Sequence, residues 1–532
     1  MHKKSILFIL LLVVTVLGFV LLREEKVATL PIPDAIATKE VNLKNGDTYE
    51  ITASYVMKSI AGKKIKMLAY NGMIPGPTLR VGEGDEVTVN FVNKMDVPTL
   101  LHSHGIRVEN RFDGTHLVQK DILPGESFTY TLKFVDAGVF WYHPHVREDM
   151  QQNMGLYGNF IVAPKDAAFW TPVDHEDAVF LSDVLMEGGD IAPYSDKYVT
   201  HALMGRFGNT ILINGDTSMK LKGESGEVRR MYVTNAATVR PFNFRVGGGA
   251  KMKLVGGDNG RYEKETFVES VMVSPSERAI VEVYFPIAGT YSLEHMVPDG
   301  KTYTLGEVTI SGDIMSVAGD AFGTLRSNQK EIAEFNVLRK YLDAAPDKRL
   351  RLTLTMDMAK IMSYMGSGAS SGGHEHGAAP VATTPSAEMP AAPTAGAHAA
   401  VPIEWEDTMG EMNTFSTSDT VKWIMRDEET GKENMDISWK FPQGKYVKIR
   451  IINDPASAHP MQHPIHFHGN RFAVLAVNDI PNDNMVWKDT TQLKTGDVVD
   501  IILETTNPGK WMAHCHIAEH MHSGMMIGYD VE

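Results

Sequence analysis

Short runs of alternating apolar and polar residues follow one another along most of the chain. The stretch DEVTVNFVNK places Val87, Val89 and Phe91 on one side of an extended chain, and YVKIRIIND does the same with Ile449 and Ile451. Such period-two alternation is typical of strands with one buried face. Turn sequences such as IPGPT, LPGES and NPGK separate these runs. The pattern predicts an all-β protein built from β-sandwiches.

One arrangement of turns and strands occurs more than once. The segment YNGMIPGPTLRVGEGDEVTVNFVN near residue 70 resembles LINGDTSMKLKGESGEVRRMYVTN near residue 212, and FPQGKYVKIRIIN carries a shorter version. Spaced copies of one unit indicate repeated domains. A chain of 532 residues is long enough for three sandwiches with insertions. We expect these domains at residues 38–165, 166–315 and 316–532.

Residues 366–402 interrupt the strand pattern of the third domain. They read GSGASSGGHEHGAAPVATTPSAEMPAAPTAGAHAAVP and contain almost no large apolar side chains. A segment of this composition cannot bury enough surface to order itself. We therefore expect a flexible insertion, with His374, His376 and His398 inside it.

The N-terminal residues 1–37 are predicted to direct export. Lysines precede an unbroken apolar run from Ile6 to Leu22, and Arg23 closes the run. This run is longer than the core of about 7–15 residues usual in a signal peptide, and approaches the roughly 17–25 residues that span a bilayer. We favour an uncleaved membrane anchor slightly over a cleaved signal peptide. Both place the body of the protein in the periplasm or on the outer face of the cytoplasmic membrane.

Charge and cysteine content narrow the function classes. The formal net charge of -15 argues against nucleic acid as a partner. The single cysteine, Cys515, excludes an intrachain disulfide. A lone cysteine is either an inert buried thiol or a group with a chemical role.

Histidines are concentrated in four short clusters. The chain has 20 histidines, and half of them lie in these clusters. A single H-x-H pair is commonly a solvated or hydrogen-bonded pair in a loop, but four clusters in the first and last predicted domains indicate metal binding. The clusters are HSHG (His102, His104), WYHPH (His143, His145), HPIHFHG (His463, His466, His468) and HCHIAEH (His514, His516, His520).

The residue types around Cys515 indicate which metal. Two histidines, one cysteine and a weak axial methionine form the ligand set of a blue-copper electron-transfer site. Cys515, His520 and Met525 supply three of these ligands, and His463 supplies the fourth. Because side chains alternate along a strand, the neighbours of Cys515 point to the opposite face. They would hold metal there, so a second metal site would lie one residue from the first.

The four clusters, in this order, resemble the signatures of the three-domain multicopper oxidases, a family that includes laccases and bacterial cuprous oxidases. The resemblance implies three consecutive cupredoxin-like Greek-key β-sandwich domains, four copper ions, and a copper-free second domain that serves as a spacer. It also implies the ligands of each copper by position in this sequence. These are His463, Cys515, His520 and Met525 for type 1 copper, His102 and His466 for type 2 copper, and His104, His143, His145, His468, His514 and His516 for the type 3 pair.

The implied reaction takes single electrons from a substrate at the type 1 copper, passes them along the path Cys515, His514 and His516 to a trinuclear cluster, and reduces dioxygen to water there. Asp113 matches a family carboxylate that transfers protons near the type 2 copper, although an aspartate before glycine is also an ordinary turn residue. Several bacterial relatives carry a second relay glutamate directly after the second type 1 histidine. This chain has Met521 at that position, with Glu519 on the other side of the histidine.

The substrate stays open between two kinds of oxidase. One oxidises phenols and aromatic amines, as a laccase does. The other oxidises a reduced metal ion, Cu(I) first and Fe(II) or Mn(II) as alternatives, and serves copper tolerance. Soft thioethers select Cu(I), and the sequence offers a candidate substrate-metal site of Met461, Met356, Asp357 and Met358. Methionine is also an ordinary core residue.

Two further classes fit the sequence less well. A non-enzymatic copper-binding protein of the cell envelope would not need every ligand that this chain keeps. A two-domain copper nitrite reductase would not need three sandwiches and four histidine clusters.

Overall fold

The computed structural model describes residues 31–313, 316–368 and 403–532. The apolar run of the predicted leader and most of the predicted insertion lie outside these described residues. Within the described ranges, no helix is both long enough and apolar enough to cross a membrane.

The first pair of sheets lies within residues 40–163. A five-stranded sheet runs in the order β1-β4-β9-β8-β6, and a four-stranded sheet in the order β3-β2-β5-β7. The strands are β1 Glu40–Asn42, β2 Thr48–Ile60, β3 Lys63–Tyr70, β4 Thr78–Gly82, β5 Glu86–Asn93, β6 His102–His104, β7 Ser127–Lys133, β8 Gly138–His143 and β9 Gly158–Ala163.

The second pair lies within residues 175–313. A six-stranded sheet runs β13-β10-β15-β20-β17-β18, a five-stranded sheet runs β14-β22-β21-β16-β19, and β11 pairs with β12. The strands are β10 His175–Val184, β11 Met186–Glu187, β12 Asp190–Ile191, β13 Thr210–Ile213, β14 Met219–Ser225, β15 Val228–Asn235, β16 Phe242–Val246, β17 Lys251–Gly257, β18 Gly260–Val268, β19 Val271–Val273, β20 Arg278–Tyr284, β21 Gly289–Met296 and β22 Thr302–Asp313.

The third pair lies within residues 348–531. A seven-stranded sheet runs β24-β23-β26-β32-β28-β29 with β30 beside β28, and a five-stranded sheet runs β25-β34-β33-β27-β31. The strands are β23 Lys348–Met356, β24 Val421–Asp427, β25 Ser438–Phe441, β26 Tyr446–Asn453, β27 His463–Phe467, β28 Phe472–Val477, β29 Ile480–Pro481, β30 Trp487–Lys488, β31 Thr490–Leu493, β32 Val498–Glu504, β33 Gly509–Cys515 and β34 Met526–Val531.

Helices among the described residues are short and lie between strands. The α-helices are α1 Glu148–Gln151, α2 Val317–Ala321, α3 Gln329–Arg339, α4 Met358–Gly368, α5 Glu411–Phe415 and α6 Ala518–His522, with 3-10 turns at Asn110–Phe112 and Asn434–Asp436. Helix α4 continues to Gly368, so the predicted start of the flexible insertion at residue 366 is wrong by at least three residues. The predicted domain boundaries themselves stay a prediction.

Strand alternation creates the cores, and the all-β prediction is confirmed. Along β5, for example, every second side chain from Val87 is buried while its neighbours are partly exposed. The inner faces of the second pair form a core of their own. The first and third pairs instead share one continuous buried cluster, which includes Phe91, Trp511 and Cys515. The two pairs that carry the histidine clusters are therefore packed together.

Gly469 follows His468 at the end of β27 and allows the chain to turn beside a buried ring. Its φ is +67°, and an added Cβ would lie 2.3 Å from the ring of Trp511. Gly444 has a similar φ of +74° but nothing within 4 Å of its Cβ position. Both glycines adopt a positive φ, which favours glycine. Only Gly469 also lacks the space for a side chain.

We predict that Gly469→Ala destabilises the protein by about 1–3 kcal/mol more than Gly444→Ala, because overpacking against Trp511 adds to the backbone cost. The midpoint of urea unfolding, followed by tryptophan fluorescence, measures the difference. Equal midpoints for the two variants would contradict the close packing of Gly469 on Trp511.

Candidate metal centre

Cys515 ends strand β33 and lies against two histidines. Its Sγ is 3.6 Å from Nδ1 of His463 and 3.8 Å from Nδ1 of His520. The two Nδ1 atoms are 3.3 Å apart, so the three atoms form a nearly equilateral triangle. All three residues are at most 1% exposed. This triangle is a trigonal arrangement of one sulfur and two imidazole nitrogens, which suits copper.

Local structure brings these three residues together. In the pairing of β27 with β33, Ile465 lies opposite Cys515, and His463 lies two residues earlier on the same face. Helix α6 follows β33 after two residues and carries His520. Met525 is fully buried, and its carbonyl accepts a hydrogen bond from the Cys515 amide at 3.1 Å. The predicted type 1 ligands therefore adjoin one another.

Trp423 packs on both histidines of the triangle. Its ring stacks on His520 with centroids 4.1 Å apart and meets His463 edge-on at 4.8 Å. Its Nε1 donates to the carbonyl of Ala202 at 2.7 Å. No sequence motif points to this role, since Trp423 occupies an ordinary inward position of strand β24.

The other eight clustered histidines meet on the opposite side of β33. Pairing of β6 with β8 puts His102 opposite His143, and pairing of β27 with β33 puts His466 opposite His514. All eight are at most 5% exposed. Their ring nitrogens form three groups close enough to share a metal ion. The groups are His104, His143 and His516; His145, His468 and His514; and His102 and His466 together with His468.

The hydrogen bonds of these rings leave one nitrogen free on most of them. Nδ1 of His102, His143, His466 and His514 each contacts a backbone carbonyl oxygen at 2.6–2.9 Å. A ring that donates from Nδ1 keeps a lone pair on Nε2. Among the described residues, Nε2 has no hydrogen-bond partner in five of the rings, those of His102, His143, His145, His466 and His516. Such orphaned buried nitrogens are costly unless a metal takes them, so the residues fit a copper cluster.

Burial shifts the pKa values of the histidine rings and of the Cys515 thiol in opposite directions. It lowers the pKa of the His463 and His516 rings to about 3, so both are neutral and able to bind metal at neutral pH. Burial also raises the pKa of the Cys515 thiol well above its usual value. A cation beside the sulfur would reverse that effect, because a metal ligates the thiolate.

Asp113 lies where the sequence places a proton-transfer carboxylate. Its two carboxylate oxygens are 3.1 and 3.2 Å from Nδ1 of His468, and Thr115 donates to it at 3.1 Å. Burial by itself would raise the pKa of Asp113, but the interactions with His468 and His102 outweigh it and hold the pKa well below its usual range. The carboxylate therefore stays ionised between ligands of two different predicted coppers.

A second carboxylate lies beside His145, a predicted type 3 ligand. Oε1 of Glu148, in helix α1, is 3.0 Å from Nδ1 of His145, and its Oε2 is 2.7 Å from Nε2 of His522. Met521 is a buried apolar residue, as its type suggests, and Glu519 is fully buried with a pKa raised to about 8 by burial and by Asp149. The carboxylate beside His145 therefore comes from helix α1, between two strands of the first pair of sheets. The spacing of three residues between His145 and Glu148 was its only sequence signal.

The second pair of sheets also reaches this cluster. The Ser276 hydroxyl lies 2.9 Å from Nε2 of His104, and Arg278 pairs with Asp489 beside it. The spacer role of the second domain stays a prediction, and these contacts add a direct link from that domain to the cluster. Sequence reasoning missed these residues because neither belongs to a histidine motif.

The predicted substrate-metal residues lie at different depths. Met461 is fully buried, Met356 is partly buried, and Met358 is 40% exposed. The carboxylate of Asp357 accepts a hydrogen bond from the Lys360 amide at 3.0 Å and so caps helix α4. This substrate-metal site stays a prediction.

Several known proteins with a similar sequence or fold are multicopper oxidases. Family models described as multicopper oxidase match residues 52–167 and 406–532. The chain is 22% identical to "Multicopper oxidase mco" of Staphylococcus haemolyticus, over 89% of this chain and 87% of that protein. It is 25% identical to a copper resistance protein A homolog of Pseudomonas syringae pv. tomato, over 92% and 93%.

A solved structure shows the same fold. The multicopper oxidase of Campylobacter jejuni, described as a metallo-oxidase, superposes with a TM-score of 0.68 and 24% identity, and the match covers 94% of this chain and 96% of that one. The cupredoxin-like sandwich architecture is confirmed. The chain therefore contains two multicopper oxidase domains, one in each of the two matched regions. It is an oxidoreductase with copper cofactors that uses dioxygen as its acceptor.

We predict that removing copper lowers the thermal stability of the folded protein. Copper that binds only the folded chain stabilises it by about 4 kcal/mol when its free concentration is a thousandfold above Kd. Differential scanning calorimetry of copper-loaded and chelator-treated protein measures the shift. An unchanged unfolding temperature would contradict the assignment of the orphaned ring nitrogens to a metal.

Proposed function

We propose that the protein takes single electrons from a reduced substrate at the His463–Cys515–His520 triangle and uses them to reduce dioxygen to water at the eight-histidine cluster. Four substrate molecules lose one electron each, and one dioxygen takes up four electrons and four protons to give two waters. Copper bound at these residues, one ion at the triangle and three at the cluster, would supply the redox chemistry and the binding of dioxygen.

One observation carries this proposal. Cys515 belongs to the buried triangle, while His514 and His516, its chain neighbours, belong to two different groups of the cluster. The strand backbone thus links the two sites covalently over one residue in each direction. Among the described residues, Cys515 alone belongs to one group and has chain neighbours that belong to two others.

In this scheme the residues around the cluster orient its histidine rings and keep water away from them. The carbonyl and carboxylate partners of Nδ1 fix the ring orientations, and burial of both sites excludes bulk water. Asp113 is the group we propose for proton delivery, because its ionised carboxylate lies between His102 and His468. We also propose that the protein works outside the cytoplasm, on the basis of the export pattern in residues 1–37.

Cys515→Ser tests the electron-entry site. We predict that copper-loaded wild-type protein is blue, and that the variant loses the colour and at least about a hundredfold of its oxidase rate. Ala513→Ser is the matched control, because it buries a hydroxyl two residues earlier on the same face of β33 and should keep the colour. A blue Cys515→Ser variant, or wild-type turnover by it, would refute the triangle as the entry site.

The geometry favours a reduced metal ion over a phenol as substrate. The triangle residues are at most 1% exposed, so a phenol cannot touch their rings directly. Helix α4 instead presents two thioethers to solvent, with Met358 40% and Met362 57% exposed. Residues four apart lie on one face of a helix, and soft thioethers select Cu(I). Laccase-like phenol oxidation is the competing function.

We predict that the double variant Met358→Leu and Met362→Leu raises the KM for Cu(I) about tenfold, the effect of losing about 1.4 kcal/mol of binding. Phenol oxidation without added copper should stay at its wild-type rate. Steady-state oxygen consumption with each substrate measures both. Met272→Leu is the control, an exposed methionine on the second pair of sheets. Fast phenol turnover without added copper, together with an unchanged Cu(I) KM, would favour the laccase-like function.

A further inference from the structure

The second pair of sheets inserts a turn between the two histidine-bearing pairs. Ser276 and Arg278 belong to this turn and to the start of β20, and both are at most 2% exposed. Ser276 has a φ of +73°, a conformation that a non-glycine residue adopts at an energetic cost. The local fold therefore holds this serine in one particular direction, towards His104.

Ser276 connects one histidine of the first pair with one of the third. Its hydroxyl lies 2.9 Å from Nε2 of His104 and 2.8 Å from the Thr490 hydroxyl. The Thr490 hydroxyl lies 3.3 Å from Nδ1 of His466. With Nε2 of His104 engaged by Ser276, a metal on that ring would take Nδ1, the nitrogen that lies 3.3 Å from the Asp489 carboxylate.

Arg278 contacts all three pairs of sheets. It donates to the carboxylate of Asp489 at 2.7 and 2.5 Å, and to the Val139 carbonyl on β8 at 3.1 Å. Asp489 in turn accepts a hydrogen bond from Nδ1 of His466 through its backbone carbonyl at 2.8 Å. Its carboxylate is 3.3 Å from Nδ1 of His104. Because Arg278 occupies both carboxylate oxygens, Asp489 is held as a support beside the rings.

Gly105 shows how closely this pair approaches the histidines. It follows His104 directly, and a Cβ on it would lie 2.2 Å from Oδ2 of Asp489 and 2.8 Å from Nη2 of Arg278. The glycine of the HSHG motif thus leaves the space that the Asp489–Arg278 pair fills. A fully buried ion pair is a weak source of stability, since apolar side chains of the same volume often serve as well.

We propose that Ser276, Arg278 and Asp489 form a positioning unit that fixes the rings of His104 and His466, so that copper binding at the cluster depends on the second pair of sheets. The unit contributes orientation and no redox chemistry. This inference rests on the proposed function, because it assigns the two histidines to copper. A purely structural clamp between domains is the competing explanation, and it would change stability without changing the bound metal.

The test uses Ser276→Ala and Arg278→Lys in the full chain. Ser276→Ala removes one hydroxyl from a turn, and Arg278→Lys keeps the charge but loses the two-point contact with Asp489. The matched control is Arg230→Lys, which alters another buried arginine pair of the second pair of sheets, with Glu282 at 2.8 Å. Copper retention against a competing chelator and the electron paramagnetic resonance spectrum of the bound copper are the readouts, with blue absorbance as an internal reference.

We expect both variants to retain cluster copper about 10- to 100-fold more weakly than wild type, as loss of a ligand's supporting contact usually causes. Their resonance spectra should change while the blue colour stays, and Arg230→Lys should match wild type. Wild-type retention and spectra in both variants would overturn the inference, even with a lowered unfolding temperature. Should Arg278→Lys fail to fold, Ser276→Ala decides alone. A wild-type protein that binds no copper at the cluster would overturn the proposed function itself.

Discussion

The antiparallel register between β27 and β33 determines the position of both metal sites. With Ile465 opposite Cys515 and His466 opposite His514, the odd-numbered ligands His463 and Cys515 share one face, and the ligands His466, His468, His514 and His516 turn towards the other side. A shift of one residue would exchange these faces. The fold thus separates the proposed electron-entry site from the proposed oxygen-reducing site by the thickness of one strand.

Burial of so many imidazoles makes a metal part of the stability of this region. Neutral rings with unpartnered nitrogens cost free energy in a dry interior, and apolar packing alone cannot satisfy them. A ring whose Nδ1 donates to a backbone carbonyl, as in His102, His143, His466 and His514, has one of its two nitrogens satisfied. Such a ring needs only one further partner, at Nε2. The same bonds fix the direction of each remaining lone pair, so the binding geometry exists before the metal arrives.

The sequence identifies the residues that meet in the two groups around β33, and it says little about their surroundings. Cys515 and the histidines are recognisable because metal chemistry demands rare residue types at short spacing, and strand alternation assigns each its face. The roles of Glu148, Trp423, Ser276 and Arg278 depend on contacts with segments far away in the chain. The all-β class follows from local alternation in the same way, whereas the shared core of the first and third pairs depends on long-range packing that no local pattern contains.

The second pair of sheets contributes two side chains, Ser276 and Arg278, to the surroundings of the histidine cluster. Its six-stranded sheet carries no copper ligands, yet Ser276 and Arg278 extend from β20 and the turn before it to the contact between the other two pairs. Ligands of the cluster come from two separate pairs of sheets, so their mutual distance depends on how those pairs are held. An arginine that bonds to Val139 on one side and Asp489 on the other fixes that distance directly. The second pair therefore lies against the cluster, and a change in its packing would reach the predicted ligands His104 and His466 through Ser276 and Arg278.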